Sequence, residues 1–132
     1  MNEIVESKTS QLVKLINNKD KQIDMPKPFE RDIFLFETYA AGTGYVENIE
    51  EIETSLKIDD KLSFFREPKN PHDSKAIVIK NAAGAKIGYV PKSDNEIFAR
   101  LMDAGKLLFA RVKSKELNGN WLNLEIKVYL RE

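Results

Sequence analysis

Two alternating runs near the C-terminal end constrain the fold of this chain most. Apolar and polar residues alternate from Leu108 to Lys113 and again from Trp121 to Leu130, with Asn118-Gly119 between the runs. Alternation with a period of two is the pattern of a strand with one buried face, and Asn-Gly is typical of a hairpin turn. These residues therefore predict an antiparallel hairpin with one apolar and one polar face.

The register of this hairpin depends on the length of its loop. A two-residue loop at the Asn-Gly pair would place Lys115 opposite Leu122, a charge against a core residue. A three-residue loop, residues 118–120, places Lys115 opposite Asn123 and keeps each face consistent. We therefore predict the three-residue loop, and in that register Trp121 faces away from the core.

The other segments after residue 30 predict short strands and one or two helices. Ser93-Asp94-Asn95-Glu96 has the form of a capping box, and Gly105 follows where a helix would end. The apolar stripe of this helix would consist of Ile97, Phe98, Leu101 and Met102. The remaining predicted elements are strands over 33–40, 62–66, 76–80 and 86–90 and a short helix over 47–56.

Such a set of short strands most often closes into a small barrel. The predicted fold class is α+β, mainly β: an SH3-like or OB-like β-barrel with one or two helices, spanning residues 31–132. Residues 1–30 are predicted to be an appendage, with a helix over 3–18 and an extended strap around Met25-Pro26-Lys27-Pro28. The polar N-terminus and the lack of a long apolar run lead us to expect a cytoplasmic protein without a membrane partner.

Composition excludes several kinds of catalytic centre. The chain has no cysteine and one histidine, His72, so thiolate zinc sites and cysteine nucleophiles are excluded and a histidine-rich metal site is not expected. The acids of residues 47–60 lack the spacing to a histidine that a metal site needs. We expect a protein without a cofactor, metal or catalytic centre, and a hydrolase is the weakest of three hypotheses.

Charge is balanced overall but unevenly distributed. The chain has 21 basic and 21 acidic residues, yet Lys61 to Lys92 contains seven bases and two acids. A neutral chain can still carry a basic face. The candidate cations are Lys69, Lys75, Lys86, Lys92, Arg111, Lys113 and Lys115.

The loop Arg66-Glu67-Pro68-Lys69-Asn70-Pro71-His72-Asp73 is the most distinctive stretch, and it has two interpretations. In the first it only connects two strands: Asn70 starts a turn before Pro71, and the Asp73 carboxylate caps free amides. In the second it is a ligand loop in which Asp73 accepts a hydroxyl and His72 packs or donates.

Three segments in this order resemble the HIRAN domain family: Ala41-Gly42-Thr43-Gly44-Tyr45, then REPKNPHDSKAIVI, then Lys86-Ile87-Gly88-Tyr89-Val90-Pro91 before a short helix. The resemblance covers roughly residues 33–130. It implies a small β-barrel of a kind attached to SWI/SNF-type translocases of replication-fork repair and also found alone in bacteria. In fork-remodelling members the domain captures the 3′ end of single-stranded DNA.

The resemblance also implies roles for individual residues. Tyr45 falls on a stacking aromatic, and Trp121 falls at or near another. Asp73 falls on the aspartate that accepts the terminal 3′-hydroxyl, with Asn70 in the same loop. Lys92 falls on a phosphate-binding lysine.

At four positions the chain departs from the family pattern. Gly44 stands in place of an arginine and Val46 in place of a tyrosine, so a phosphate clamp and a stacking ring are lost. His72 replaces a tyrosine and Tyr89 a histidine, and both remain candidate contacts. Tyr45 and Tyr89 could instead belong to the barrel core, with satisfied hydroxyls.

The leading hypothesis is a non-catalytic nucleic-acid-binding module that recognises single-stranded DNA 3′ ends in DNA repair or replication-fork processing, with a separate helicase or nuclease as a further partner. Single-strand binders combine a basic groove with stacking rings, which these residues could supply. The alternative is a protein-interaction module that docks a partner enzyme through the N-terminal helix or the Trp121 face.

Overall fold

The computed structural model describes residues 31–132, and the N-terminal helix and strap predicted for residues 1–30 lie outside that range. Within residues 31–132 there are two helices, α1 (Ile49–Ser55) and α2 (Lys92–Asp103), and a 3₁₀ turn spans Thr43–Tyr45. The six strands are β1 (Asp32–Tyr39), β2 (Lys61–Glu67), β3 (Ala76–Lys80), β4 (Lys86–Tyr89), β5 (Leu107–Asn118) and β6 (Trp121–Arg131).

All six strands form one antiparallel sheet in the order β1-β6-β5-β2-β3-β4. The predicted fold class, α+β and mainly β, is confirmed, but the sheet does not close into a complete barrel. Its two edges meet at one bridge, where Ala41, just after β1, exchanges two backbone hydrogen bonds of 2.7 and 2.8 Å with Tyr89 of β4. The gap between the two edge strands, β1 and β4, is therefore narrowest beside Tyr89.

The core lies on the inner face of the curved sheet, where α1 and α2 cover it. Phe98 of α2 is 1% exposed and stacks on Phe36 of β1, with ring centroids 5.1 Å apart. Burial of a side chain of this size contributes about 1.5–3 kcal/mol. The fully buried strand residues around it are Leu62, Ile77, Ile79, Ile87, Leu108, Ala110, Val112, Leu122, Leu124, Ile126 and Val128.

The predicted start of α2 was wrong. The helix begins at Lys92 and its N-cap is Pro91, whose carbonyl accepts from the backbone N–H groups of Asp94 and Asn95. Proline has a backbone angle already suited to a helix start, so Ser93 is not needed as a cap. The buried stripe of α2 includes Asn95, Phe98 and Ala99, while Ile97, predicted to be core, is 64% exposed.

The C-terminal end of α2 was predicted correctly. Gly105 follows the helix with φ of 94°, a left-handed conformation that glycine adopts at little cost. Its N–H donates to the carbonyl of Met102, and the N–H of Lys106 donates to that of Leu101.

The predicted loop of the β5–β6 hairpin was also wrong. The turn has two residues, Gly119 and Asn120, between the paired Asn118 and Trp121. Trp121 nevertheless faces away from the core, as predicted, and is 48% exposed.

A bulge in β5 keeps the apolar residues on the buried face despite this short turn. The register shifts between Val112 and Ser114, so that Val112 pairs with Ile126 and both lie on the buried face. On the turn side of the bulge, Lys115 lies opposite Leu124 instead of the predicted Asn123. Its ammonium reaches α1 and binds the carbonyl (2.7 Å) and carboxylate (3.0 Å) of Glu53, so the charge avoids the core.

Candidate functional site

A pocket of about 320 Å³ opens where the loop between β2 and β3, strand β4 and the start of α2 meet. Five of the seven candidate residues line it: Asn70, His72, Asp73, Tyr89 and Lys92. The other lining residues are Ala41, Gly42, Ala76, Val90 and Asn95.

Asn70 organises the loop that carries Asp73. Its Oδ1 accepts from the backbone N–H groups of His72 (2.8 Å) and Asp73 (3.2 Å). Its Nδ2 donates to Oε1 of Glu67 at 3.0 Å. A side chain that binds the backbone two and three residues on stabilises a turn, so the predicted turn at Asn70 is confirmed.

Asp73 presents a carboxylate that is held by donors on both oxygens. Oδ1 accepts from the backbone N–H of Lys75 (2.9 Å), and Oδ2 accepts from Nδ2 of Asn95 (2.7 Å). These two bonds, in that order, and the positive charges of Lys92 and Lys75 lower the pKa of Asp73, although partial burial acts in the opposite direction. Asp73 is therefore an anion at neutral pH, and each oxygen retains capacity to accept a further hydrogen bond.

Tyr89 forms a fixed wall of the pocket. Its hydroxyl donates to Oε1 of Glu67 (2.8 Å) and accepts from Nζ of Lys86 (3.0 Å). The Lys86 ammonium also lies 4.4 Å from the ring centroid, so one face of the ring is covered. Bonds from Asn70 and Tyr89 lower the pKa of Glu67, which stays ionised and joins β4 to the loop. Tyr89 is thus a half-buried wall residue rather than a core residue.

Gly88 permits the contact that closes one side of the pocket. A Cβ on this residue would lie 2.5 Å from the carbonyl oxygen of Ala41, far inside van der Waals contact. Only glycine lets β4 approach Ala41 closely enough for the bridge at Tyr89. A lone glycine within a predicted strand is the sequence signal for such an approach, although it does not identify the neighbour.

Tyr45 and Trp121 lie outside the pocket, at the hairpin end of the sheet. Tyr45 is 94% exposed, which excludes the alternative that it belongs to the core. Thr43 anchors the 3₁₀ turn that carries Tyr45, because its buried hydroxyl donates to the carbonyl (2.7 Å) and accepts from the N–H (3.1 Å) of Leu122. The turn places Tyr45 beside Asn120, the residue that precedes Trp121.

Most of the candidate cations are already engaged. Lys86 binds Tyr89, Arg111 donates to the carbonyl of Asp59 at 3.0 Å, and Lys113 binds Glu37 at 2.8 Å, while Lys115 binds Glu53 as above. Within residues 31–132, three candidates have no side-chain hydrogen bond or ion pair: Lys69, Lys75 and Lys92. All three lie in or beside the pocket loop, which therefore has a positive rim.

Sequence reasoning missed three residues of the site. Asn95 and Glu67, which hold Asp73 and Tyr89, were seen only as parts of local motifs, and Ala41 only as part of a family motif. The described part of the chain contains no group of histidine or acidic residues that could hold a metal ion. None of its helices is long and apolar enough to span a membrane.

Comparison with known proteins provides matches to one family. The family model described as the HIRAN domain matches residues 33–132. A crystal structure of a protein from Lactobacillus plantarum is 27% identical, with a TM-score of 0.73, over 78% of this chain and 98% of that one. No curated protein matches significantly.

Two structures of a human domain also have this fold. The crystal structure of the HIRAN domain of human HLTF is 18% identical, with a TM-score of 0.58, over 76% of this chain and 80% of that one. The NMR structure of the HLTF HIRAN domain in its DNA-bound conformation is 19% identical, with a TM-score of 0.50, over 85% and 84% of the two chains.

Proposed function

Because this chain belongs to the HIRAN domain family, we propose that it is a non-catalytic module that binds the 3′ end of single-stranded DNA in DNA repair or replication-fork processing. The human HLTF domain has a DNA-bound conformation, which supports DNA as the ligand. One observation carries the proposal of end recognition: an ionised Asp73 lies in a pocket beside the unpaired ammonium of Lys92.

A carboxylate in this position discriminates between strand ends and strand interiors. It can accept a hydrogen bond from a hydroxyl, whereas it repels the phosphate that would occupy the same place within a continuous strand. The pocket volume of about 320 Å³ lies at the small end of the range for ligand sites, so it suits one terminal nucleoside rather than a duplex.

The surroundings of the pocket suit the rest of the strand. Lys69, Lys75 and Lys92 provide charge for phosphates at the rim, and His72 is exposed on the same loop. Tyr45 and Trp121 offer exposed rings on which bases could stack, each contributing about 1–3 kcal/mol. A separate helicase or nuclease would supply any chemistry performed on the bound end.

Asp73→Asn tests end recognition. We expect the wild-type protein to bind a 3′-hydroxyl strand at least about tenfold more tightly than a 3′-phosphate strand, because a hydrogen bond to a charged group contributes about 1.5–3 kcal/mol. The variant should lose this preference and melt near the wild-type temperature, because the Asn95 amide can turn over and accept from the new amide. Fluorescence anisotropy and thermal melting provide the two measurements.

Asp103→Asn is the matched control, since Asp103 is an exposed carboxylate bound to Arg66 and does not line the pocket. It should retain the preference. Equal binding of both ends by the wild type would exclude end recognition and favour the alternative, a protein-interaction module that uses the exposed Trp121 face. The N-terminal helix invoked by that alternative lies outside the described residues. Nuclease turnover that Asp73→Asn abolishes would contradict the non-catalytic proposal.

A further inference from the structure

Asn95 is a buried polar residue whose side chain reaches the pocket. It lies in the first turn of α2 and is 4% exposed. Its Nδ2 donates to Oδ2 of Asp73 at 2.7 Å, and within residues 31–132 the side chain makes no other hydrogen bond. The direction of the amide is determined by chemistry, because an ionised carboxylate can accept but cannot donate.

Helix packing does not account for an amide at this position. The neighbouring buried residues of α2 are Phe98 and Ala99, and burying an amide costs free energy unless its polar atoms are paired. Asn95 leaves its Oδ1 without a partner in the described part of the chain and pairs its Nδ2 only with the pocket carboxylate. An apolar side chain would pack on the core equally well. The hydrogen bond to Asp73 is therefore what accounts for an amide at this position.

The hydrogen bond from Asn95 attaches the Asp73 carboxylate to a part of the molecule outside its own loop. The other bond to Asp73 comes from Lys75, in the same loop, so it would move together with the carboxylate if the loop moved. Asn95 belongs to α2, which packs through Phe98 on the core. Donors on both oxygens, one local and one from the core, restrict rotation of the carboxylate and limit the positions at which a ligand hydroxyl can bind.

We infer that Asn95 is a positioning residue for recognition of the 3′-hydroxyl: it holds the Asp73 carboxylate in the orientation that accepts the terminal hydroxyl. The inference rests on the proposed function and adds to it a residue that determines specificity. Its effect should therefore appear in the preference for one strand end over another, rather than in overall affinity alone.

The experiment compares a 3′-hydroxyl strand with a dideoxy-terminated strand, which lacks only that hydroxyl and has the same charge. For the wild type we expect a preference of about tenfold or more. Asn95→Leu should reduce it to about threefold or less while the variant remains folded by circular dichroism. Asn81→Ala is the matched control, since Asn81 caps a turn outside the pocket through a 2.8 Å bond from Ala85. It should lower the melting temperature and keep the preference.

Asn95→Asp tests the same bond without a change in shape. Two adjoining carboxyls share a proton and titrate at a raised pKa. At about pH 5 the introduced carboxyl should donate to Asp73 and preserve the preference, and at about pH 8 both groups should be ionised and the preference lost. The wild-type preference should be constant over this range, because Asp73 is already ionised throughout.

The outcomes separate the two proposals. If the wild type prefers the hydroxyl strand and both Asn95 variants keep that preference at all pH values, Asn95 does not position Asp73 and end recognition stands without it. If the wild type binds both strands equally, end recognition itself is wrong and the role of Asn95 is lost with it. If Asn95→Leu does not fold, a pH-independent preference in Asn95→Asp still overturns the inference.

Discussion

The outer face of the sheet carries aromatic rings and cations, and so does the region formed by the pocket rim and the hairpin end, but these groups differ in what they already contact. On the outer face, Phe34, Tyr129 and Phe109 form a row across β1, β6 and β5, with centroid distances of 5.7 and 5.4 Å. We refer to these three residues as the outer aromatic row. The cations around its Phe109 ring, at 4.8, 5.8 and 5.5 Å, are Lys61, Arg111 and Arg131.

At the pocket rim Lys69, Lys75 and Lys92 have no ion pair within the described residues, and at the hairpin end Tyr45 and Trp121 have accessible rings. Phe109 is 2% exposed, whereas Tyr45 is 94% exposed and Trp121 48% exposed. A base can stack only on a ring face that is accessible, and a phosphate gains most from a cation that is not already paired. Rings and cations in one region therefore do not define a nucleic-acid site; the accessible face and the unpaired charge do.

The largest effect should be the loss of stability in Phe109→Ala. A change in DNA binding by this variant would contradict the comparison of the two regions. Removing this buried ring should lower the free energy of unfolding by about 3–5 kcal/mol. Affinity for single-stranded DNA should stay unchanged under conditions where the variant is folded. Urea denaturation and anisotropy measure the two quantities. Weaker binding by folded protein would place the outer aromatic row in the interface.

Trp121→Ala and Tyr45→Ala test the exposed rings at the hairpin end. Each should weaken single-strand binding by about 5- to 150-fold, the equivalent of 1–3 kcal/mol of base stacking, with little change in stability because the rings are exposed. The control is Phe34→Ala, which removes a ring that is 50% exposed on the outer aromatic row. If all three variants bind alike, Tyr45 and Trp121 do not form the interface.

Lys92→Ala tests whether unpaired charge matters in the same way. A lysine that contacts one phosphate should contribute about 0.7–1 to the slope of log affinity against log salt concentration, and the variant should lose that contribution. Arg111→Ala removes a cation already bound to Asp59 and should leave the slope unchanged. Equal slopes for wild type and Lys92→Ala would remove Lys92 from the phosphate contacts.

The smallest effect concerns acid stability. The pKa of Asp73 is lowered in the folded protein, so its contribution to stability is present above the usual carboxyl value of about 3.9 and is lost as pH falls through the lowered value. Asp32, which pairs with Arg131 beside the outer aromatic row, also has a lowered pKa. Both Asp73→Asn and Asp32→Asn should therefore flatten the acid limb of the stability curve.

The two aspartates should differ in binding. Only protonation of Asp73 should remove the preference for a 3′-hydroxyl over a dideoxy end as pH falls, because Asp32 lies away from the pocket. A wild-type preference that persists at a pH below the lowered pKa of Asp73 would show that the Asp73 charge does not take part in recognising the end.

The strands, the helices and the outward direction of Trp121 could be predicted because each depends on residues close together in the chain. Alternating residues determine which face of β6 is buried, and Gly105 ends α2 through its own backbone. The motif shared with the family was enough to place Asn70, His72 and Asp73 in one loop. Two predictions were wrong: the β5–β6 turn is one residue shorter than predicted, and α2 starts earlier than predicted.

Those failures have a common physical cause. A bulge between Val112 and Ser114 restores the buried face after a two-residue turn, and periodicity alone cannot distinguish a bulge from a longer loop. Likewise, a capping box at Ser93 is plausible in isolation, but Pro91 already begins the helix. Which side of α2 is buried depends on how the helix packs on the sheet, and this packing places Asn95 against the loop of Asp73 and Ile97 in solvent.

By itself the sequence determined a mainly β fold, a Pro-rich loop with a carboxylate, and an exposed tryptophan, because these follow from local periodicity and turn chemistry. Tertiary structure alone decided that Asn95, 22 residues further along the chain, would hold Asp73. It also decided that Glu67 would join Tyr89 to Asn70, and which lysines would remain unpaired. These outcomes depend on distances between segments that meet only when the sheet curls far enough for Ala41 to reach Tyr89.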